Sequence, residues 1–242
     1  VFRIFVIGDS CAFGNALKHT QAYPFYLEGL LNQPGNKVTY EVVNAGVPGY
    51  SSLQGLRHLE RDILPYQPDL VIASFGWNDT WPAVFYTDKE QKSPSYLSSA
   101  IYRTLQHSLV FVYLENIISV GMAKMRISYA NNNEKSEQRS RVPEDDFVEN
   151  LNAIVTLGIK KHFKVVFLNQ PARQLVTHHY DALIRKVSAE LNVAFLDLLP
   201  SFCFSGHSVD EFFLDQNHYS PLGNQIIAQR IFDFLKEKKL LK

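Results

Sequence analysis

Four short stretches carry side chains that could do chemistry together: Gly8-Asp9-Ser10, Asn44 to Gly49, Gly76-Trp77-Asn78-Asp79 and Asp215 to His218. Acyl transfer needs a hydroxyl that is deprotonated as it attacks, and a base that titrates near neutrality, most often histidine. It also needs a carboxylate to orient that imidazole and preset donors for the oxyanion that develops. Ser10 supplies a hydroxyl, His218 a base, and Asp215 a carboxylate three residues before it. The Asn78 side-chain amide and the backbone N–H groups of Ser10 and Gly49 are candidate oxyanion donors, and glycine at 49 keeps a side chain out of the way. Taken singly, each stretch reads as an ordinary turn or a surface ion pair. Their joint occurrence in this order is what points to chemistry.

These stretches must be placed by regular structure. Apolar runs of strand length occur at Phe2–Ile7, Val38–Val43, Leu70–Phe75, Val165–Leu168 and Val193–Leu196. They lack strict alternation, as expected of parallel strands covered on both faces. Helical patterns fall between them at Tyr23–Leu31 and Ser52–Leu64, then along Val176, Tyr180, Leu183, Ile184, Val187 and Leu191. A last helix runs from Leu222 through Leu235, announced by Ser220-Pro221 as N-cap and first-turn proline. Alternating strands and helices predict a doubly wound α/β sandwich with a parallel sheet of about five strands. Ligands bind such sheets beyond the carboxyl ends of the strands. The first three chemical stretches follow strands one, two and three, and the fourth precedes the last helix.

The set of blocks resembles the SGNH hydrolases, also called GDSL esterases and lipases. Gly8-Asp9-Ser10 is similar to the nucleophile block, and Asn44–Gly49 to the second block, with Gly49 as the oxyanion amide. Gly76–Asp79 is similar to the Gly-x-Asn-Asp block with Asn78 as donor, and Asp215–His218 to the Asp-x-x-His block. The resemblance implies a flavodoxin-like three-layer α/β/α sandwich over residues 1–242 as one domain. It also implies a serine hydrolase of carboxylic esters acting through Ser10, His218 and Asp215, whether esterase, lipase or carbohydrate O-deacetylase. Cys11, where many members carry Leu or Thr, departs from the pattern and is expected to tune packing. The Gly-x-Ser-x-Gly elbow of α/β-hydrolases is absent around Ser10. Two rivals stand beside it: an O-acyltransferase acting on a glycan with the same residues, and a catalytically silent flavodoxin-like domain whose binding of a phosphate or nucleotide would survive loss of Ser10 and His218.

Other residues are expected to do less. Asp9 and Asp79 read as structural, Asp197 as a cap on the loop after its strand, His178 and His179 as solvated, and His207 as a loop residue. Trp77, Trp81, Phe85 and Tyr86 cluster beside Asn78. Core packing is their plainer role; Trp77 and Trp81 are the candidates for walling a substrate pocket. A metal site needs three or more converging ligands, and only His218 has a carboxylate at suggestive spacing, so neither metal nor cofactor is expected.

Between residues 80 and 142 the rhythm breaks. Ser95–Met125 reads as helix, apolar on every side at Leu109–Leu114, and Asn131–Arg141 as a polar loop. A crossover helix with a surface loop is the plainer reading; a lid, or a helix touching a membrane surface, is the sharper one. Lys plus Arg equal Asp plus Glu at 24 each, which argues against a nucleic-acid partner. No obligate protein partner is evident, and no apolar run reaches the ~18 residues of a membrane span. The two cysteines, Cys11 and Cys203, are expected to stay unpaired. Strand-like sequence begins at Val1 with no signal peptide; something is expected to have been removed upstream, and the compartment is left open.

Overall fold

The computed structural model describes residues 1–83, 86–91, 139–175, 179–204 and 206–242, with scattered positions between 101 and 121. Five strands form one sheet: β1 (Phe2–Gly8), β2 (Tyr40–Gly46), β3 (Leu70–Ser74), β4 (Lys164–Leu168) and β5 (Ala194–Leu196). Their order is β2-β1-β3-β4-β5 and all neighbours are parallel. This is the flavodoxin-like arrangement expected above.

Alternation along β1 builds the two faces, because successive side chains point to opposite sides of a strand. Ile4 and Val6 pack with Leu27 of α2 (Tyr23–Leu31) and with Ile227 and Ile231 of the last helix. Phe5 and Ile7 pack with Leu56 of α3 (Ser52–His58), and with Phe147 and Ile154 of α4 (Glu144–Lys161) and Ile184 of α5 (Tyr180–Glu190). A single turn, α1 (Ser10–Phe13), follows β1. Two short helices, α6 (Leu199–Cys203) and α7 (Val209–Phe212), precede α8 (Pro221–Glu237). At the start of α8 the Ser220 hydroxyl accepts from the Gly223 N–H at 3.2 Å, with Pro221 in the first turn, as its sequence predicts.

Three boundaries depart from expectation. β2 starts at Tyr40 and runs on to Gly46, so Asn44, Ala45 and Gly46 lie in the strand rather than after it. They pair with Val6, Ile7 and Gly8 of β1. The edge position explains why this end escaped the apolar pattern: Glu41 and Asn44 are exposed while Tyr40 and Val42 are buried. The helix expected over Ser52–Leu64 keeps α-geometry only to His58. A π-turn (Leu59–Ile63) and a 3₁₀ turn (Leu64–Tyr66) follow, where Pro65 lacks the N–H needed to continue the ladder. α5 ends at Glu190, with Leu191 as its cap; Val176 lies outside the described residues.

Most of the helix expected at Ser95–Met125 lies outside the described residues, as do positions 131–138 of the polar loop, so the lid reading is not addressed by them. The two ends of this excursion meet. Pro82 and Ser140 form an antiparallel bridge, Arg141 N–H donates to Trp81 O at 2.6 Å, and Val142 N–H donates to Asp79 O at 3.1 Å. Among the described residues no helix is long and apolar enough to cross a membrane.

Candidate active site

The carboxyl rim of the sheet gathers the chemical residues. Gly8 ends β1, and Asp9 caps α1 by accepting from the Cys11 N–H at 2.9 Å. This capped turn places Ser10 at the start of α1. Gly14, with φ of 82°, stops the helix after one turn. On the far side of the chain Asp215 makes its own turn. Its Oδ1 accepts from the N–H groups of Asn217 and His218, both at 2.9 Å. The loop closes where Leu214 N–H donates to His218 O at 2.8 Å, and the buried Tyr219 ring anchors it against Phe202 and Phe213.

These two turns meet. His218 Nδ1 lies 2.7 Å from Asp215 Oδ2, and His218 Nε2 lies 2.9 Å from Ser10 Oγ. An ionised carboxylate only accepts, so Nδ1 carries the proton toward Asp215, and in the neutral imidazole Nε2 presents its lone pair to the serine hydroxyl. Partial burial works to raise the Asp215 carboxyl. Hydrogen bonds from the His218 ring and from the His218 and Asn217 N–H groups outweigh it and hold the group below the usual carboxylate range.

Gly49 sits at φ 81° in a turn closed by Tyr50 N–H donating to Val47 O at 3.1 Å. Pro48 then Gly49 at the turn's centre is the type II pattern. A side chain there would meet nothing within 4 Å; the backbone faces open space. The N–H groups of Ser10 and Gly49 donate to no other described residue. Asn78 follows β3. Its Nδ2 lies 3.2 Å from Asp9 Oδ2 and 3.3 Å from Tyr50 O, so both neighbouring blocks hold one amide.

Asp9 therefore does more than cap a turn. It is buried, and it accepts from Cys11, from Asn78 and, at 2.9 Å, from Gln170 Nε2. Desolvation raises its carboxyl, against hydrogen bonds from Cys11 and Gln170 and the nearby His218. Gln170 was not singled out from sequence. It lies just past β4, where the same strand-end rule that selects Ser10 and Asn78 would have found it. Asp79 is also structural: its Oδ1 accepts from the Ser52 N–H at 2.8 Å and hydroxyl at 2.6 Å, and Asn150 holds Ser52 in turn. Asp197 caps as expected, accepting from the Leu199 N–H at 3.1 Å.

Cys11 is buried, its Sγ 3.4 Å from the Asn217 carbonyl, and burial pushes the thiol well above its usual range. It stays a protonated packing residue, consistent with the minor role expected of it. Cys203 is free and exposed. Trp77 is tied down, its indole N–H donating to Gln170 O at 2.8 Å. The core role expected of its neighbours does not hold for Trp81 or Tyr86, which are 54% and 65% exposed because they sit where the excursion leaves the sheet. Phe85 and His178 lie outside the described residues; His179 is exposed beside Glu144. A cavity of about 790 Å³ lies along β2, lined in part by Phe5, Val43, His58, Asp62 and Tyr66. It takes in neither Ser10, Asn78 nor His218.

A flavodoxin-like sheet with serine, imidazole and carboxylate linked on its carboxyl rim defines a class, the serine ester hydrolases. Residues 6–226 match the GDSL-like lipase/acylhydrolase family, and the chain belongs to it. Solved structures share the fold at low identity. An acetylxylan esterase, Axe2, from Geobacillus stearothermophilus superposes with a TM-score of 0.63 at 17% identity, over 97% of this chain and 94% of that one. A lipase/acylhydrolase from Enterococcus faecalis gives 0.60 at 19% identity, over 98% and 97%. The acetyl xylan esterase AlAXEase gives 0.61 at 16% identity, over 96% and 98%. No curated protein matches the chain closely enough to count as a relative.

Proposed function

We propose that this protein hydrolyses carboxylic esters through an acyl-enzyme on Ser10. His218 Nε2 takes the hydroxyl proton as Oγ attacks the carbonyl, and Asp215 steadies the imidazolium that results. The Ser10 and Gly49 N–H groups receive the oxyanion, and the Asn78 amide joins them as one of its two N–H groups turns from Asp9 or Tyr50 to the substrate. His218 returns its proton to the departing alcohol, then activates water to release the acid. The observation that carries this reading is the continuous hydrogen-bonded line from Asp215 through His218 to Ser10. Short acyl esters of carbohydrates are the narrower substrate class, favoured by the acetylxylan esterases among the structural neighbours. Trp81, half exposed just past Asn78, offers a face to the alcohol portion, and Trp77 is the second candidate wall.

The test is turnover of p-nitrophenyl acetate and acetylated xylan by wild type, Ser10→Ala and His218→Ala, with fluorophosphonate labelling. Both variants should lose at least about 10³-fold in kcat, and Ser10→Ala should no longer be labelled. Wild-type turnover by Ser10→Ala would overturn the reading. Product analysis with a sugar acceptor separates hydrolysis from acyl transfer.

A further inference from the structure

Arg141 stands 92 positions from Gly49 in the chain, yet its Nη1 donates to the Gly49 carbonyl at 3.0 Å. The same guanidinium donates through Nη2 to Gln54 Oε1 at 2.8 Å, and through Nε and Nη2 to the two Asp88 oxygens at 3.1 and 2.9 Å. Asp88 is 4% exposed and accepts in addition from the Ser51 hydroxyl at 2.6 Å. Ser51 and Gln54 form the capping box that opens α3. One largely buried ion pair thus grips residues 49, 51 and 54.

The grip falls where backbone freedom is greatest. Glycine crosses between positive and negative φ at little steric cost. A rotation at Gly49 would swing the Pro48–Gly49 peptide and re-aim the N–H that the esterase reading assigns to the oxyanion. The Gly49–Tyr50 peptide is held at one end by Arg141 and at the other by Val47 O, and Tyr50 O in turn meets Asn78 Nδ2. Both proposed donors therefore border the peptide that Arg141 fixes. A buried ion pair is a poor source of net stability compared with apolar packing; its geometric precision is the property that matters here.

We propose that Arg141, oriented by Asp88, is a positioning residue that aims the Gly49 N–H at the oxyanion. This deepens the esterase reading and rests on it. Arg141→Lys keeps the charge but cannot span Gly49 O, Gln54 and Asp88 at once. It should lower kcat by about 10–100-fold with KM changed less than about threefold, a partial loss of one oxyanion donor. Inhibition by a boronic acid, whose tetrahedral adduct mimics the oxyanion, should weaken in the same ratio as kcat/KM. Added guanidinium ion should restore part of the activity of Arg141→Ala. Gln54→Met leaves the ion pair in place and removes the one amide oxygen that accepts from both Arg141 Nη2 and the Ser51 N–H; a severalfold fall in kcat is expected, which keeps the test alive if the Arg141 variants fail to fold. Folded Arg141→Lys, or Gln54→Met in its absence, with wild-type kcat and boronate affinity would overturn the inference. Ser10→Ala on the same ester separates the two failures: if it is inactive while those variants are unimpaired, the positioning role alone falls.

Discussion

Replacing Asp79 with asparagine should change how stability depends on pH. Asp79 is completely buried, and its Oδ2 has no partner among the described residues. Desolvation pushes its carboxyl up from 3.8 to about 7; the Ser52 hydrogen bonds and the Arg141 charge pull the other way without prevailing, while Asp9 adds to the rise. The folded protein therefore holds this proton more tightly than the unfolded chain. The stability this confers is complete below the ordinary value of 3.8 and is lost as pH climbs through about 7. At roughly 1.4 kcal/mol per pH unit, the full loss is about 4 kcal/mol, of which about 2 kcal/mol falls between about pH 5.5 and about pH 8. Asparagine is a neutral isostere of the protonated acid and can still accept from Ser52. Urea unfolding of both proteins at those two pH values isolates the effect, because other titrating groups cancel in the difference. Stability of Asp79→Asn relative to wild type should rise by about 2 kcal/mol on going to the higher pH. A difference that stays constant, or moves the other way, would refute the assignment of a raised carboxyl to this site.

Asn78→Ala should lower kcat by about 10²–10³-fold while leaving KM nearly unchanged, read from steady-state kinetics on p-nitrophenyl acetate. Gly55→Ala should destabilise the fold by about 1–3 kcal/mol, because the added methyl would collide with the Phe75 ring that fills that space; a thermal melt measures it, and the active-site chemistry of the folded fraction should be unchanged.

Both the central strands and the residues proposed to react were legible from residue types, and for related reasons. β1 and β3 are covered on both faces, so they appear as unbroken apolar runs. Ser10 and Asn78 follow those runs directly, and Asp215 and His218 sit within one turn of each other, so local spacing betrays them. The edge strand β2 mixes outward polar residues with buried ones, which hid its true end. The contacts of Arg141 and Gln170 were invisible for another reason. Their partners Gly49 and Asp9 lie 92 and 161 positions away, and an isolated arginine or glutamine carries no local pattern that names a distant partner. The helix expected after β2 ends just before Pro65, but the π-turn within it, with Leu59 and Ile63 buried, leaves no mark in the periodicity.

Ser10 and His218 are 208 positions apart in the chain. During synthesis the serine emerges with β1, whereas its proposed base arrives only after the other four strands have been made. Ester cleavage is therefore a readout of completed folding, and a ribosome-stalled chain ending before the 215–218 loop should be catalytically dark however well its sheet has formed.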